Sequence, residues 1–190
     1  MLLSRIQSRS SNPALVRVAA LVLFAALTAL GARITIMLPF TPVPITLQVM
    51  LVLLAGLTLG AKDGALSQIV YVAMIAIGLP LDAKGIGSAA LISATAGYLV
   101  AFIPAAFITG WLAEKGARSH RVWSFIASLI GVIVIYLIGT TWLTIGFLHG
   151  DVAKSWALGV APFIAVDAIK ALIAAASAEG MRTLIDRAAL

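Results

Sequence analysis

Long apolar runs separated by short polar segments dominate this chain. Of its 190 residues, 62% are hydrophobic and only 11% are charged, which is far from the balance of a soluble domain. Each run approaches or exceeds the about 17–25 residues that a helix needs to cross about 30 Å of hydrocarbon. The sequence therefore predicts an all-α integral membrane protein, a single transmembrane domain over residues 1–190 with six spanning helices. The predicted spans are 13–31, 45–61, 64–81, 89–112, 122–148 and 156–178.

The distribution of lysine and arginine predicts the orientation of these spans. Nine of the 13 fall on one side of the predicted membrane, three fall on the other, and Lys170 lies inside a span. By the positive-inside rule the nine face the cytoplasm, so both termini are predicted there, in a multi-pass protein of the cell (inner) membrane. The net charge of +6 then reflects topology and a lipid bilayer partner, with no nucleic acid expected. The nine are Arg5, Arg9, Arg17, Lys62, Lys115, Arg118, Arg121, Arg182 and Arg187, and the three are Arg33, Lys84 and Lys154.

Two charges interrupt the last apolar run, "PFIAVDAIKALIAAA" at residues 162–176. In a helix that starts near residue 156, Asp167 and Lys170 share one face and lie about 17–20 Å below its outer end. Ionisable residues at such depth usually face a cavity and mark a ligand or ion path. We therefore expect a polar substrate site, suited to a neutral polar head group such as a cyclic urea. A self-neutralising pair that holds two helices together, or a proton relay, are the alternatives.

The predicted outward segment 38–48, "LPFTPVPITLQ", contains three prolines within a few residues. Proline removes backbone donors and stiffens the chain, so the segment is expected to be rigid and largely extended. It is either a simple connector or a lid over an outward-facing pocket, with Gln48 offering amide hydrogen bonds from the lip.

The second outward segment, 78–99, is rich in glycine, alanine and serine. Small residues let the backbone approach a ligand closely, and Thr95, Gly97 and Tyr98 place a hydroxyl, a position without a side chain and an aromatic ring together. This combination suits a ligand with an apolar ring. The alternative is that the small residues only let helices pack tightly.

Small residues also recur in the first span, where Ala25 and Ala29 are four positions apart. Such spacing brings helices close, either within the chain or against a partner. No G-x-x-x-x-G-K-[ST] phosphate loop occurs anywhere, so uphill transport would draw on an ion gradient or on another subunit. No cofactor and no metal site are expected on this chain.

Five segments taken in order resemble the BioY family, the biotin-specific S components of energy-coupling factor (ECF) transporters. They are "TPVPITLQVMLVLLAGLTLG", "GALSQIVYVAMIAIGLP", "TAGYLVAF", "YLIGTTW" and "PFIAVDAIKA". The resemblance implies an S-component-type six-helix bundle that captures biotin outside and releases it inside with a coupling subunit and cytoplasmic ATPases, which would use the ATP. Some family members are reported to act without the ATPases.

The resemblance also implies roles for individual residues. Asp167 and Lys170 would hydrogen-bond the polar head of biotin, while Gln48, Tyr98 and the 82–88 loop would close over it. Ala25 and Ala29 resemble the small-residue motif that S components present to the coupling subunit.

The chain departs from the family pattern in "PLDAKGIGSAALISATAGY". Asp82 and Lys84 replace apolar or glycine positions there, and Lys84 is the cation expected to meet the carboxylate of the substrate.

Two other functions compete with a biotin-binding transport subunit. An intramembrane enzyme would use Asp167 and Lys170 as acid and base, but no histidine or cysteine shares their span. A stand-alone or proton-coupled secondary transporter of biotin, or of another small vitamin-like solute, would use Asp167 as the titrating group. Internal symmetry between two halves of the sequence would favour that design, and none is visible.

Overall fold

The structure, a computed structural model, describes residues 12–116 and 121–187. Arg5, Arg9 and Arg118, which the charge distribution includes, lie outside the described residues. Within them the chain forms seven α-helices, one 3-10 helix over Gly87–Ile92 and a two-stranded antiparallel ribbon of β1 (Thr35–Ile36) and β2 (Ile45–Thr46). The α-helices are α1 (Pro13–Arg33), α2 (Gln48–Leu59), α3 (Ala61–Ala76), α4 (Ala96–Lys115), α5 (Arg121–Phe147), α6 (Val152–Gly159) and α7 (Ile164–Arg187).

Three of the described helices are long and apolar enough to cross a membrane: Pro13–Arg33, Ala96–Lys115 and Val122–Phe147. Helices α6 and α7 are bent by 51° and make a fourth span if they are counted together. Helices α2 and α3 have 12 and 16 residues, so they extend about 18 and 24 Å at 1.5 Å per residue. The chain is thus a helical multi-pass membrane protein, and six separate spans remain a prediction.

The predicted span over 156–178 differs most from the structure. It is two helices, because Pro162 lacks the N–H that a continuous helix needs and the chain turns between Gly159 and Ile164. Asp167 therefore lies in the first turn of α7, directly after a helix break, and not deep within one continuous helix. The predicted start at residue 89 also differs, since α4 begins only at Ala96 after the 3-10 helix.

Glycines let α2, α3 and α4 approach closely. A Cβ on Gly56 of α2 would lie 2.5 Å from the Ala106 carbonyl oxygen of α4, and a Cβ on Gly110 would lie 2.5 Å from the Ala61 backbone nitrogen. At the sharp α2–α3 corner, Glu114 Oε1 of α4 accepts a hydrogen bond from Ala61 N at 2.9 Å. This contact satisfies a backbone donor that the start of a helix leaves free.

The small-residue stripe of α1, Ala25 and Ala29, packs inside the chain, and the docking role predicted for it stays a prediction. Ala25 is fully buried and Ala29 is 8% exposed. Both belong to the apolar core that includes Val52 of α2 and Tyr71 of α3. Alanines at these positions let α1 lie close to its neighbours within the chain.

Candidate functional site

A cavity lies where β2, α4, α5, the loop after α3 and the α6–α7 break meet. Its volume is about 60 Å³, several times the about 10–15 Å³ that one water molecule requires. Apolar side chains, among them Leu99, Phe102, Ile135 and Phe163, form much of its wall. The polar residues that line it are Thr46, Gln48, Asp82, Lys84, Thr95, Tyr98, Tyr136, Asp167 and Lys170.

The two charges predicted from the last span both face this cavity. Lys170 Nζ donates to Asp167 Oδ1 at 2.7 Å, and the residues are only 5% and 3% exposed. Tyr136 OH of α5 donates to Asp167 Oδ2 at 2.8 Å. The first turn of α7 also favours a negative charge, because the helix dipole is positive at its N-terminus. These three contributions compensate the burial of the carboxylate.

The hydrogen-bonding capacity of this pair is only partly used. A lysine ammonium has three donors and an ionised carboxylate has about four acceptor positions. Within the described residues, Lys170 donates to Asp167, and Asp167 accepts from Lys170 and Tyr136. The cavity wall therefore offers both donors and acceptors to a neutral polar group.

Gln48 is placed at the cavity, but its amide is engaged within the protein. Gln48 Nε2 donates to Tyr71 OH at 2.6 Å, and Gln48 Oε1 accepts from Thr46 Oγ1 at 3.3 Å. Tyr71 OH in turn donates to the Leu81 carbonyl oxygen at 3.1 Å. Gln48 thus links the start of α2 to α3 and to the loop that follows α3.

The structure separates the three residues predicted at the start of α4. Thr95 and Tyr98 line the cavity, and Tyr98 OH donates to the Gly159 carbonyl oxygen at the end of α6, at 3.0 Å. Gly97 is outside the cavity wall. A Cβ on Gly97 would lie 2.3 Å from Trp142 Cβ, so this glycine serves the close approach of α4 and α5.

The proline-rich segment lies across the same end of the bundle. Val43 and Pro44 line the cavity, and Thr41 Oγ1 donates to the Leu158 carbonyl oxygen of α6 at 2.6 Å. Thr41 and Tyr98 together satisfy two carbonyls that the last turn of α6 leaves without helical partners. The segment is therefore attached to α6 beside the cavity, and its role as a lid stays a prediction.

Sequence reasoning missed two tyrosines. Tyr136 lines the cavity, and Tyr71 contacts the loop that follows α3. Tyr136 opens "YLIGTTW", one of the segments that carry the resemblance, and Tyr71 lies in another. Each is a single tyrosine in an apolar run, and an aromatic ring there is ordinary core. Only the hydroxyl contacts in three dimensions distinguish them.

The fold and the cavity define a multi-pass membrane protein with a buried ion pair between its helices. The hydrogen-bonding capacity of this pair is only partly used within the protein. The sequence model of the BioY family matches residues 6–187, and this chain belongs to that family. A probable biotin transporter BioY from Pyrococcus horikoshii is 43% identical over 163 residues, 84% of this chain and 92% of that protein. A biotin transporter BioY from Thermotoga maritima is 39% identical over 164 residues, 85% and 93% of the two chains.

A solved structure has the same fold. It is the S-component for biotin from an ECF-type ABC transporter, with a TM-score of 0.83 and 26% sequence identity over 92% of this chain and 94% of that one. The relatives are named as transporters, so family membership confirms the prediction that this chain is not an enzyme.

Proposed function

We propose that this chain binds biotin in the cavity described above and takes part in its uptake across the cell membrane. The observation that carries the proposal is the Asp167–Lys170 pair at the cavity wall of a BioY family member. A cyclic urea has a carbonyl that can accept from the Lys170 ammonium and N–H groups that can donate to the Asp167 carboxylate. The apolar wall, including Phe102 and Phe163, suits the ring that carries the urea.

We further propose that the cavity opens to the outside of the cell (inner) membrane. Its wall includes the segments that follow β1 and α3, and Tyr98 joins it to the end of α6. The charge distribution predicts that the loops before α2, after α3 and before α6 all face outward. In this arrangement both termini are cytoplasmic and six segments traverse the bilayer, with α6 and α7 forming the last.

The proposed partners are an ECF transmembrane coupling subunit and cytoplasmic ATPase subunits. Two observations support them: the likeness to the S-component of an ECF-type ABC transporter, and the absence of a phosphate loop from the sequence. No cofactor is proposed on this chain, and ATP would be used by the partner subunits. The Ala25 and Ala29 stripe of α1 stays the proposed docking site for the coupling subunit, and both side chains are buried within the isolated chain.

A binding experiment on the purified full-length chain tests the core of this proposal. Biotin should bind with one site per chain by titration calorimetry and should be found by mass spectrometry in protein purified from biotin-containing medium. Lipoate is the matched control, because it has a carboxylate on an apolar arm but no urea, and it should not compete. If biotin does not bind, or if lipoate binds equally well, recognition of the urea head is wrong.

A second experiment separates dependence on ATPases from stand-alone transport. Uptake of labelled biotin is measured in proteoliposomes that contain this chain alone, and again with the coupling and ATPase subunits and ATP. Uptake only in the complete system supports the S-component role. Uptake by the chain alone that follows an imposed proton gradient would replace it with the secondary-transporter alternative.

A further inference from the structure

The loop between α3 and the 3-10 helix is attached to the bundle at two successive carbonyls. Arg33, at the end of α1, donates from its guanidinium to the Pro80 carbonyl oxygen. Tyr71 of α3 donates to the next carbonyl, that of Leu81, at 3.1 Å. Side chains from two helices therefore fix the backbone immediately before Asp82.

Asp82 then organises the rest of the loop. Its side chain is buried, with Oδ2 accepting from Lys84 N at 2.9 Å and Oδ1 accepting from Gly87 N at 2.8 Å. Gly85 and Gly87 have φ angles of +68° and +60°, a left-handed conformation that glycine adopts without strain. Each oxygen of this carboxylate accepts a charge-assisted bond from a backbone N–H, so the loop is built around this side chain.

The consequence of this construction is the position of Lys84. Its backbone is held by Asp82, it lines the cavity, and it is exposed. Within the described part of the chain, no carboxylate lies within ion-pair distance of its ammonium. Lys84 is therefore an exposed positive charge at the cavity wall that forms no ion pair with the described residues.

We propose that Asp82 is a positioning residue that holds Lys84 over the cavity mouth, and that this arrangement makes the site prefer ligands with an anionic arm over uncharged ones. The inference rests on the proposed function, because biotin carries a carboxylate at the end of its apolar arm. An exposed charge pair contributes little to binding, so the preference is modest. We expect at most about fivefold in affinity, and a smaller factor at high salt.

The experiment compares biotin with biotin amide, which differs only in the charge of the arm. Dissociation constants for both ligands are measured on the purified full-length chain and on Lys84→Ala, Asp82→Ala and Asp82→Asn. The readout is the ratio of the two constants, because a merely structural defect in the loop weakens both ligands equally and leaves that ratio unchanged.

The chain supplies matched controls at the start of α6. Asp151 Oδ1 accepts from Lys154 N at 2.8 Å. This contact resembles that between Asp82 and Lys84 but spans three positions instead of two, and its loop does not line the cavity. Asp151→Asn and Lys154→Ala make the same changes in charge as the test variants. They should leave the ratio at its wild-type value.

The expected result is a preference of the wild type for biotin of up to about fivefold, lost in Lys84→Ala and in Asp82→Ala. Asp82→Asn keeps one acceptor oxygen but turns an amide donor toward the other N–H, so it should lose part of the preference even if Asp82→Ala does not fold. An unchanged ratio in Lys84→Ala, or lower affinity with an unchanged ratio in both Asp82 variants, overturns the inference. In those outcomes the wild type still binds biotin, so the proposed function stands. A wild type that binds neither ligand overturns the proposed function.

Discussion

Helix α7 carries two ion pairs with the same spacing, one near its N-terminal end and one in its C-terminal half. Asp167 and Lys170 are three positions apart with 2.7 Å between the charged atoms, and Glu179 and Arg182 repeat this order and spacing at 2.5 Å. The first pair is the more buried, with side chains 4% and 6% exposed against 11% and 22% for the second. Sequence spacing alone does not distinguish them.

The surroundings of the two pairs do distinguish them. A hydroxyl of α5 donates to each acid, Tyr136 to the first and Ser124 to the second. Arg182 also donates to the Leu57 carbonyl oxygen at the end of α2, at 3.0 Å, which joins three helices. The first pair lines a cavity and the second pair does not. An ion pair is thus a candidate site only where its unused donors and acceptors face open space.

The sharpest test of this comparison removes one member of the first pair, Asp167 and Lys170, at a time. Asp167→Asn and Lys170→Ala should each weaken biotin binding by at least about a hundredfold, because two or more hydrogen bonds to charged groups are lost. Each should also destabilise the fold by about 3–5 kcal/mol, since the remaining buried charge loses its oppositely charged partner. Titration calorimetry and thermal unfolding in detergent measure the two effects.

The double variant Asp167→Asn with Lys170→Met is the control for stability. It removes both buried charges, so the unfolding temperature should recover while binding does not. Wild-type affinity in either single variant would return the pair to a purely structural role.

Changes at the second pair, Glu179 and Arg182, should show the opposite pattern. Glu179→Gln and Arg182→Met should leave biotin affinity within about twofold, because neither side chain reaches the cavity. Each should lower the free energy of unfolding by about 1–3 kcal/mol, the cost of leaving buried polar partners unsatisfied. Calorimetry on the folded fraction provides the check, and a tenfold loss of affinity would show that the two ends of α7 are coupled.

The smallest expected difference comes from the two hydroxyl donors. Tyr136→Phe removes the bond that orients Asp167 and should weaken biotin about tenfold, as expected for one hydrogen bond to a charged group. Ser124→Ala removes the corresponding bond to Glu179 and should cost about 1 kcal/mol of stability without changing affinity. Equal affinities in the two variants would mean that Asp167 keeps its orientation without Tyr136.

The site residues that could be predicted from the sequence are those whose chemistry is unusual for their place. Asp167 and Lys170 are recognisable because charges in an apolar run require compensation. Gln48 lines the cavity, but its amide is occupied by Tyr71, a contact between residues 23 positions apart. Gly97 could equally have lined a ligand or a helix contact, and its position against Trp142 depends on how α4 and α5 cross.

Composition and charge by themselves determined that this chain is a helical multi-pass membrane protein. They also determined that buried charges inside it need hydrogen-bonding or charged partners. Both follow because the cost of placing each residue in hydrocarbon is local and additive along a run. Tertiary structure decided which groups satisfy that need. Tyr136 and Asp167 are 31 positions apart and meet only because α5 packs against the break before α7. The burial of Ala25 has the same origin, since the side of α1 that turns inward depends on the neighbours it packs against and not on its own nearly uniform apolar sequence.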